Sequence, residues 1–398
     1  MRYTLRGARL VDASGERRAD IAVEGGSILR VGADVGDAGE AVVEAPPETL
    51  VTPGFVDVHT HGGGGFDLHT TDPEEIRSYA RWAPSSGTTA FLVGVVGVPG
   101  AIPEAQLRAA AEAIEHPGPG AEAVGIHLEG PYISPQRRGA HLPEWLRLPN
   151  EGETERILEL AAGRLRLVTL APELPGGHQM TRRLVEAGVT VSIGHTDATY
   201  EQAREAIALG ITHATHCFNA MRPLHHREPG ALGAIVEADS VRGELIGDGV
   251  HVHPAAMRLL TGALGAERTV VVTDALSAAG QEEGAGFTFA GQEARVVDGV
   301  ARLSDGTITG SVLTMERALR NLVNIVGVRL PDAVGMLSRN PARSAGAAHR
   351  KGLLQPGYDA DLLLFGPGLM LQATICRGRL AWATDDFRTL LDGLPLAT

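Results

Sequence analysis

The sequence predicts an α/β fold: a (β/α)8 TIM-like barrel with a small β-sandwich domain built from both chain termini. Three observations predict it. Eight apolar, β-rich runs alternate with helical patterns between about residues 53 and 346, as expected of parallel strands buried on both faces. Short alternating segments punctuated by turn residues occupy both ends, and neither end is long enough to bury a core alone. No G-x-G-x-x-G follows the first apolar run, so the doubly wound dinucleotide-binding alternative lacks its fingerprint.

Residues 1–52 supply the first part of the terminal domain, in YTLRGARLVD, ADIAVEGGSILRVG and EAVVEA. Residues 347–398 supply its second part, in YDADLLLFG and LMLQATICRGRLAWA. The barrel, residues 53–346, is then a continuous insertion. Its eight runs are VTPGFVDVHT, TTAFLVGVV, AVGIHLEG, RLRLVTLAPE, VTVSIGHT, HATHCFNA, GELIGDGVHV and TVVVTDA. Helices are expected over Pro73 to Ser85, Pro103 to Glu115, Glu151 to Ala162, Tyr200 to Leu209 and Pro254 to Leu264. Asp72-Pro73 offers an N-cap followed by proline at the first helical position, and Thr199 with Gln202 fits a capping box. Residues Gly286 to Thr307 interrupt the last unit with an expected hairpin closed near Asp298-Gly299.

Composition narrows the function classes. With 35 Lys+Arg against 48 Asp+Glu the net charge is −13, which disfavours a nucleic-acid or anionic-membrane binder. The expected partners exclude nucleic acid and membrane, since no apolar run reaches the ~20 residues of a bilayer span. Two cysteines cannot build a disulfide framework, and the first 20 residues lack an apolar signal segment. A cytoplasmic location is expected.

The chemistry lies at the strand ends, where barrel enzymes place it. The first run ends in His59-Thr60-His61, the third in Glu129, the fifth in His195, the sixth in His216, the seventh in His251 and the eighth in Asp274. Strand alternation lets His59 and His61 face one cation together. Each of these residues alone reads better as an ordinary structural group. Their shared edge is what points to a metal site. Imidazoles with a carboxylate suit Zn²⁺ or Fe²⁺ and not Mg²⁺. An aspartate beside activated water is a general base, and the combination means hydrolysis. His127 also points inward, with a supporting or core role. Cys217 falls on the opposite face from His216, as a buried, inert thiol. His225, His226 and Arg227 form one of the few dense cationic stretches, suited to phosphate or simply solvated.

As a set, PGFVDVHTHG, GIHLEGP, GHTDA, THCFNAM, REPG, DGVHV, VTDA and TGSVLTM resemble the amidohydrolase superfamily and, within it, the N-acetylglucosamine-6-phosphate deacetylase family. The similarity covers nearly the whole chain. HLEGP, FNAM and REPG carry it more specifically than H-x-H. The resemblance implies that Glu129, His195 and His216 hold a principal divalent transition metal. His59 and His61 would add a second, with one or two ions, zinc or iron, per chain. It implies Asp274 as catalytic acid-base and His251 as the group that hydrogen-bonds the substrate carbonyl. Asn219, Ala220, Arg227 and His141 would grip an amino-sugar phosphate, with Thr309 standing on the substrate side where many members carry Ala. A homodimer is implied, with Arg227 and His141 approaching the partner's site. The implied reaction converts N-acetylglucosamine 6-phosphate to glucosamine 6-phosphate and acetate. An N-acetylgalactosamine 6-phosphate deacetylase and a non-catalytic scaffold are the alternatives.

Overall fold

A computed structural model of the chain describes residues 2–36, 41–289, 292–297, 299–303, 306, 310–391 and 394–396. Eight parallel strands form the barrel: β1 (Phe55–Asp57), β2 (Thr88–Val95), β3 (Glu122–Glu129), β4 (Leu165–Leu170), β5 (Thr190–Ile193), β6 (His213–Ala214), β7 (Arg242–Ile246) and β8 (Thr269–Val272). Each pairs with its sequence neighbour, from β1 through to β8. The apolar runs are continuous because both faces are buried. Val56, Ala90, Leu92, Leu167, Ile246 and Val270 pack together inside the barrel. Phe91, Val93, Val168, Leu170 and Val191 pack outward with Ile76, Leu107, Ile157 and Leu184 of the surrounding helices.

The helices start where the sequence places starts. Asp72 Oδ1 accepts from Glu74 N at the head of Pro73–Trp82, and Thr199 and Gln202 complete a reciprocal capping box on Tyr200–Ala208. Among the described residues β8 and β1 share no ladder bonds, so the barrel is sealed differently. Thr273 donates through its hydroxyl to Asp57 Oδ2 at 2.5 Å, and Asp274 N donates to the His59 carbonyl at 2.8 Å. Burial pushes the Asp57 carboxyl up to about 7 even though bonds from Thr273 and His59 pull the other way. The helix Arg339–Ser344 closes the opposite end. Asn340 Nδ2 donates to the Thr269 carbonyl, and Ser344 Oγ meets His213 Nδ1 at 3.2 Å, both at strand beginnings.

The second sheet joins the chain ends. Leu50–Pro53 pairs in parallel with Arg2–Asp12 and antiparallel with Leu362–Gly366. Alternation divides the latter strand between two cores. Leu362 and Leu364 pack with Tyr3, Leu10 and Ile21 inside the terminal sheet, whereas Leu363 and Phe365 join the barrel's outer core. Gly286–Phe289, Gln292–Val297 and Val300–Leu303 form a three-stranded antiparallel sheet, one strand more than the expected hairpin, with Val297 opposite Val300. Asp298 and Thr307, at the expected turn and end of that insertion, lie outside the described residues.

Candidate metal centre and active site

The strand ends converge on one mouth, and Glu129 is its hub. Glu129 Oε1 lies 3.0 Å from His195 Nε2 and 3.3 Å from both His59 Nε2 and His216 Nε2. Its Oε2 lies 3.2 Å from His61 Nε2 and 3.4 Å from His141 Nε2. Asp274 Oδ1 is 3.4 Å from the Nε2 atoms of His59 and His61. All five expected ligands therefore meet, with Asp274 and His141 beside them.

The backbone bends to achieve this. His195, His216 and Asp274 have φ of 47°, 26° and 49°, a left-handed region that L-residues enter at a cost of order 1–3 kcal/mol each. Each lies two residues past the end of its strand, so leaving β geometry there swings its side chain into the mouth. Phe218 and Ala220 share this conformation in the loop after β6, at φ 77° and 49°.

Hydrogen bonds set the ring orientations. His195 Nδ1 donates to the Arg137 carbonyl at 2.8 Å, and His59 Nδ1 donates to Glu244 Oε2 at 2.8 Å. A neutral imidazole that donates from Nδ1 keeps a lone pair on Nε2, and in both rings Nε2 faces Glu129. Glu244 also accepts from His213 Nε2 and from the His216 backbone, each at 3.0 Å. His127 is buried and bonds Thr169 Oγ1 at 2.8 Å. Cys217 is buried, and burial pushes its thiol up to about 12.

The donor set fits a divalent transition metal. His59 Nε2, His61 Nδ1 and His216 Nδ1 are buried without hydrogen-bond partners. Glu129, Glu244 and Asp274 sit among imidazoles, with no Lys or Arg among their described partners. Buried carboxylates demand a counter-charge. Burial alone would strip His59 of its proton, yet Glu244, Glu129 and Asp274 hold its pKa well above the usual range. Nitrogen and carboxylate donors converging in this way are what Zn²⁺ and Fe²⁺ take.

A cavity of about 200 Å³ opens over the cluster, lined by His61, Glu129, His141, Asn219, Ala220, His251, Asp274 and Leu276 among others. His251 Nδ1 lies 2.6 Å from Asp248 Oδ2. Burial lowers the His251 pKa, but the bond and charge of Asp248, together with the charge of Asp274, outweigh it and raise the net value. Arg227 is exposed, bonded to His226 Nε2 at 2.7 Å, and does not line this cavity among the described residues. Thr309 lies outside the described residues. Sequence reasoning missed Glu244, Asp248 and Asp57. Glu244 did leave a signal, as the lone charge within the apolar run GELIG.

A parallel barrel with this rim defines a hydrolase of the amidohydrolase class, and comparison with known proteins agrees. The amidohydrolase family model matches residues 50–381. An N-acetylgalactosamine-6-phosphate deacetylase of Escherichia coli O157:H7 is 39% identical over 83% of this chain and 88% of its own. An N-acetylglucosamine-6-phosphate deacetylase of Bacillus subtilis is 36% identical over 86% and 87%. A solved N-acetyl-D-glucosamine-6-phosphate deacetylase from Mycobacterium smegmatis, a mutant in complex with N-acetyl-D-glucosamine 6-phosphate, superposes with a TM-score of 0.88 at 35% identity, covering 96% of this chain and 99% of that one. The chain belongs to the amidohydrolase family, in the branch that holds these amino-sugar-phosphate deacetylases.

Proposed function

We propose that the chain hydrolyses the acetamide of N-acetylglucosamine 6-phosphate to glucosamine 6-phosphate and acetate, in amino-sugar catabolism. The observation that carries this reading is the convergence of His59, His61, His195 and His216 on Glu129, with Asp274 Oδ1 3.4 Å from two of them. Those five residues would hold one or two divalent ions, zinc or iron. When bound, such an ion polarises the amide carbonyl and acidifies water.

The chain's own residues perform the rest. Burial pushes the Asp274 carboxyl up, but His59 and His61 hold it below its usual range and hence ionised. Asp274 takes the proton of the attacking water as the new C–O bond forms. It returns that proton to the nitrogen as the C–N bond breaks. His251, kept protonated by Asp248, donates from Nε2 to the carbonyl oxygen as negative charge develops there. His141, Asn219 and Ala220 border the same cavity and would orient the sugar phosphate, with Thr309 on that side. Arg227 would reach the phosphate of a partner subunit in a homodimer. A cytoplasmic location suits a phosphorylated substrate. Among the described residues no helix is long and apolar enough to cross a membrane.

A second reading, deacetylation of N-acetylgalactosamine 6-phosphate, is favoured by the 39% identical relative of that name. Acetate release from both 6-phosphates, measured on zinc- and iron-loaded protein, separates them. A higher kcat/KM for the gluco epimer is expected. A preference of tenfold or more for the galacto epimer would replace the first reading with the second, and no release from either would end both.

A further inference from the structure

Glu244 lies within the apolar strand β7 and has no accessible surface. A carboxylate so placed is costly to desolvate unless opposite charge lies close. Its described partners supply no fixed positive charge. They are His59 Nδ1 and the His216 backbone N–H on Oε2, and His213 Nε2 on Oε1.

These bonds bear unequally on the two halves of the metal centre. The ring of His195 is fixed by the Arg137 carbonyl, and His216 meets Glu244 through its backbone and not its ring. Only His59, among the candidate ligands, has its ring aimed by Glu244. With Nδ1 committed to Glu244, Nε2 is the ring atom left for a ligand, and that unpartnered atom faces Glu129 and Asp274 at 3.3 and 3.4 Å. A carboxylate behind a histidine in this way fixes its tautomer and raises its basicity as a ligand.

Building on the metal-dependent reading above, we propose that Glu244 is a positioning residue that aims the His59 ring and so strengthens metal binding at the His59–His61 half of the centre more than at the His195–His216 half. Zinc titration by calorimetry, with elemental analysis of gel-filtered protein, tests this on chelator-stripped wild type and Glu244→Gln. Wild type should take up two ions, the second through His59 and His61. Glu244→Gln should keep its first ion within about threefold of wild type while the second weakens roughly 10- to 100-fold. Unchanged binding of the second ion, or equal loss of both, would overturn the proposal. Uptake of one ion by wild type would also overturn it while leaving the hydrolytic reading intact. Uptake of none would remove both. Should Glu244→Gln fail to fold, histidine nitrogen NMR of the zinc-loaded wild type decides: His59 protonated on Nδ1 supports the proposal, and His59 protonated on Nε2 refutes it.

Discussion

The duties we propose for two carboxylates at the mouth are separable, and single substitutions distinguish them. Asp274 touches the ligand histidines and faces the cavity. Asp274→Asn should therefore leave the fold and most of the bound metal in place while kcat falls about 10²- to 10⁴-fold, the usual worth of general acid–base catalysis. Turnover near wild type would remove Asp274 from the proton path. Asp248 bonds the His251 ring, and we propose that it acts through it. Because Asp248 raises the His251 pKa, and the imidazolium is the form that donates to the carbonyl, activity is present below that pKa and lost as pH rises through it. Asp248→Asn should move the alkaline limb of kcat/KM to lower pH, and a pH–rate profile with an unmoved limb would refute the assignment. The strand-end residues were legible in the sequence because strands of known direction put their ends on one rim. Asp248 and Asp57 were not, since a carboxylate two or three residues from a histidine looks the same in sequence whether it faces that histidine's ring, a neighbouring strand or water.

At the level of strands and loops, the site depends on close backbone approach as much as on side chains. A Cβ added to Gly94, in β2, would lie 2.2 Å from the Thr60 carbonyl oxygen and 3.0 Å from His61 Nδ1. Thr60 separates the two histidines of H-x-H, so β2 can lie against that segment only with glycine at this position. Gly94 lacks the positive φ of a turn glycine, and Gly94→Ala is thus a steric test. It should cost about 1–3 kcal/mol of stability and should lower metal uptake through His59 and His61 more than through His195 and His216. Elemental analysis with thermal unfolding reads both effects, and full uptake at wild-type stability would show that the segment around Thr60 can yield. Barrel strands and capped helices were legible from apolar runs and cap chemistry. The third strand of the inserted sheet was not, because residues 286–303 mix polar and apolar residues without a second turn signal as clear as Asp298-Gly299.

Across the whole molecule, the barrel and the terminal sheet are pinned by one buried charge cluster. Lys351 Nζ, in a side chain only 1% exposed, lies 3.0 Å from Glu122 at the foot of β3 and 2.8 and 2.7 Å from Asp359 and Asp361, which lead into Leu362–Gly366. Lys351→Met removes the cation shared by three carboxylates and should cost about 3–5 kcal/mol, the toll of breaking a buried pair. Burial pushes the Glu122 carboxyl up, but hydrogen bonds from Arg350 and the charge of Lys351 bring it down to about 2 from an ordinary 4.5. A depressed carboxylate pKa contributes stability that is full above about 4.5 and lost as pH falls toward 2. Thermal midpoints should therefore drop across that window, and Glu122→Gln, less stable at neutral pH, should drop less; parallel curves for the two proteins would assign the acid transition elsewhere. The terminal sheet's two-ended origin was legible in the sequence, but Lys351 was not, since nothing marks a lysine as buried before its three acids are seen around it. Assembly supplies the last test. Arg227 is exposed and is not among the residues that line the cavity of its own chain, so we propose that its phosphate contact comes from a second copy. Arg227→Ala should lower kcat/KM for the 6-phosphate roughly 10- to 150-fold, the loss of a charge-assisted contact, while the unphosphorylated sugar barely responds. Mixing Asp274→Asn chains with Arg227→Ala chains should then restore activity, because in each heterodimer one cavity keeps Asp274 and borrows Arg227 from its partner. Verified heterodimers without rescue would return Arg227 to its own subunit, and equal losses on both sugars would make it a structural residue.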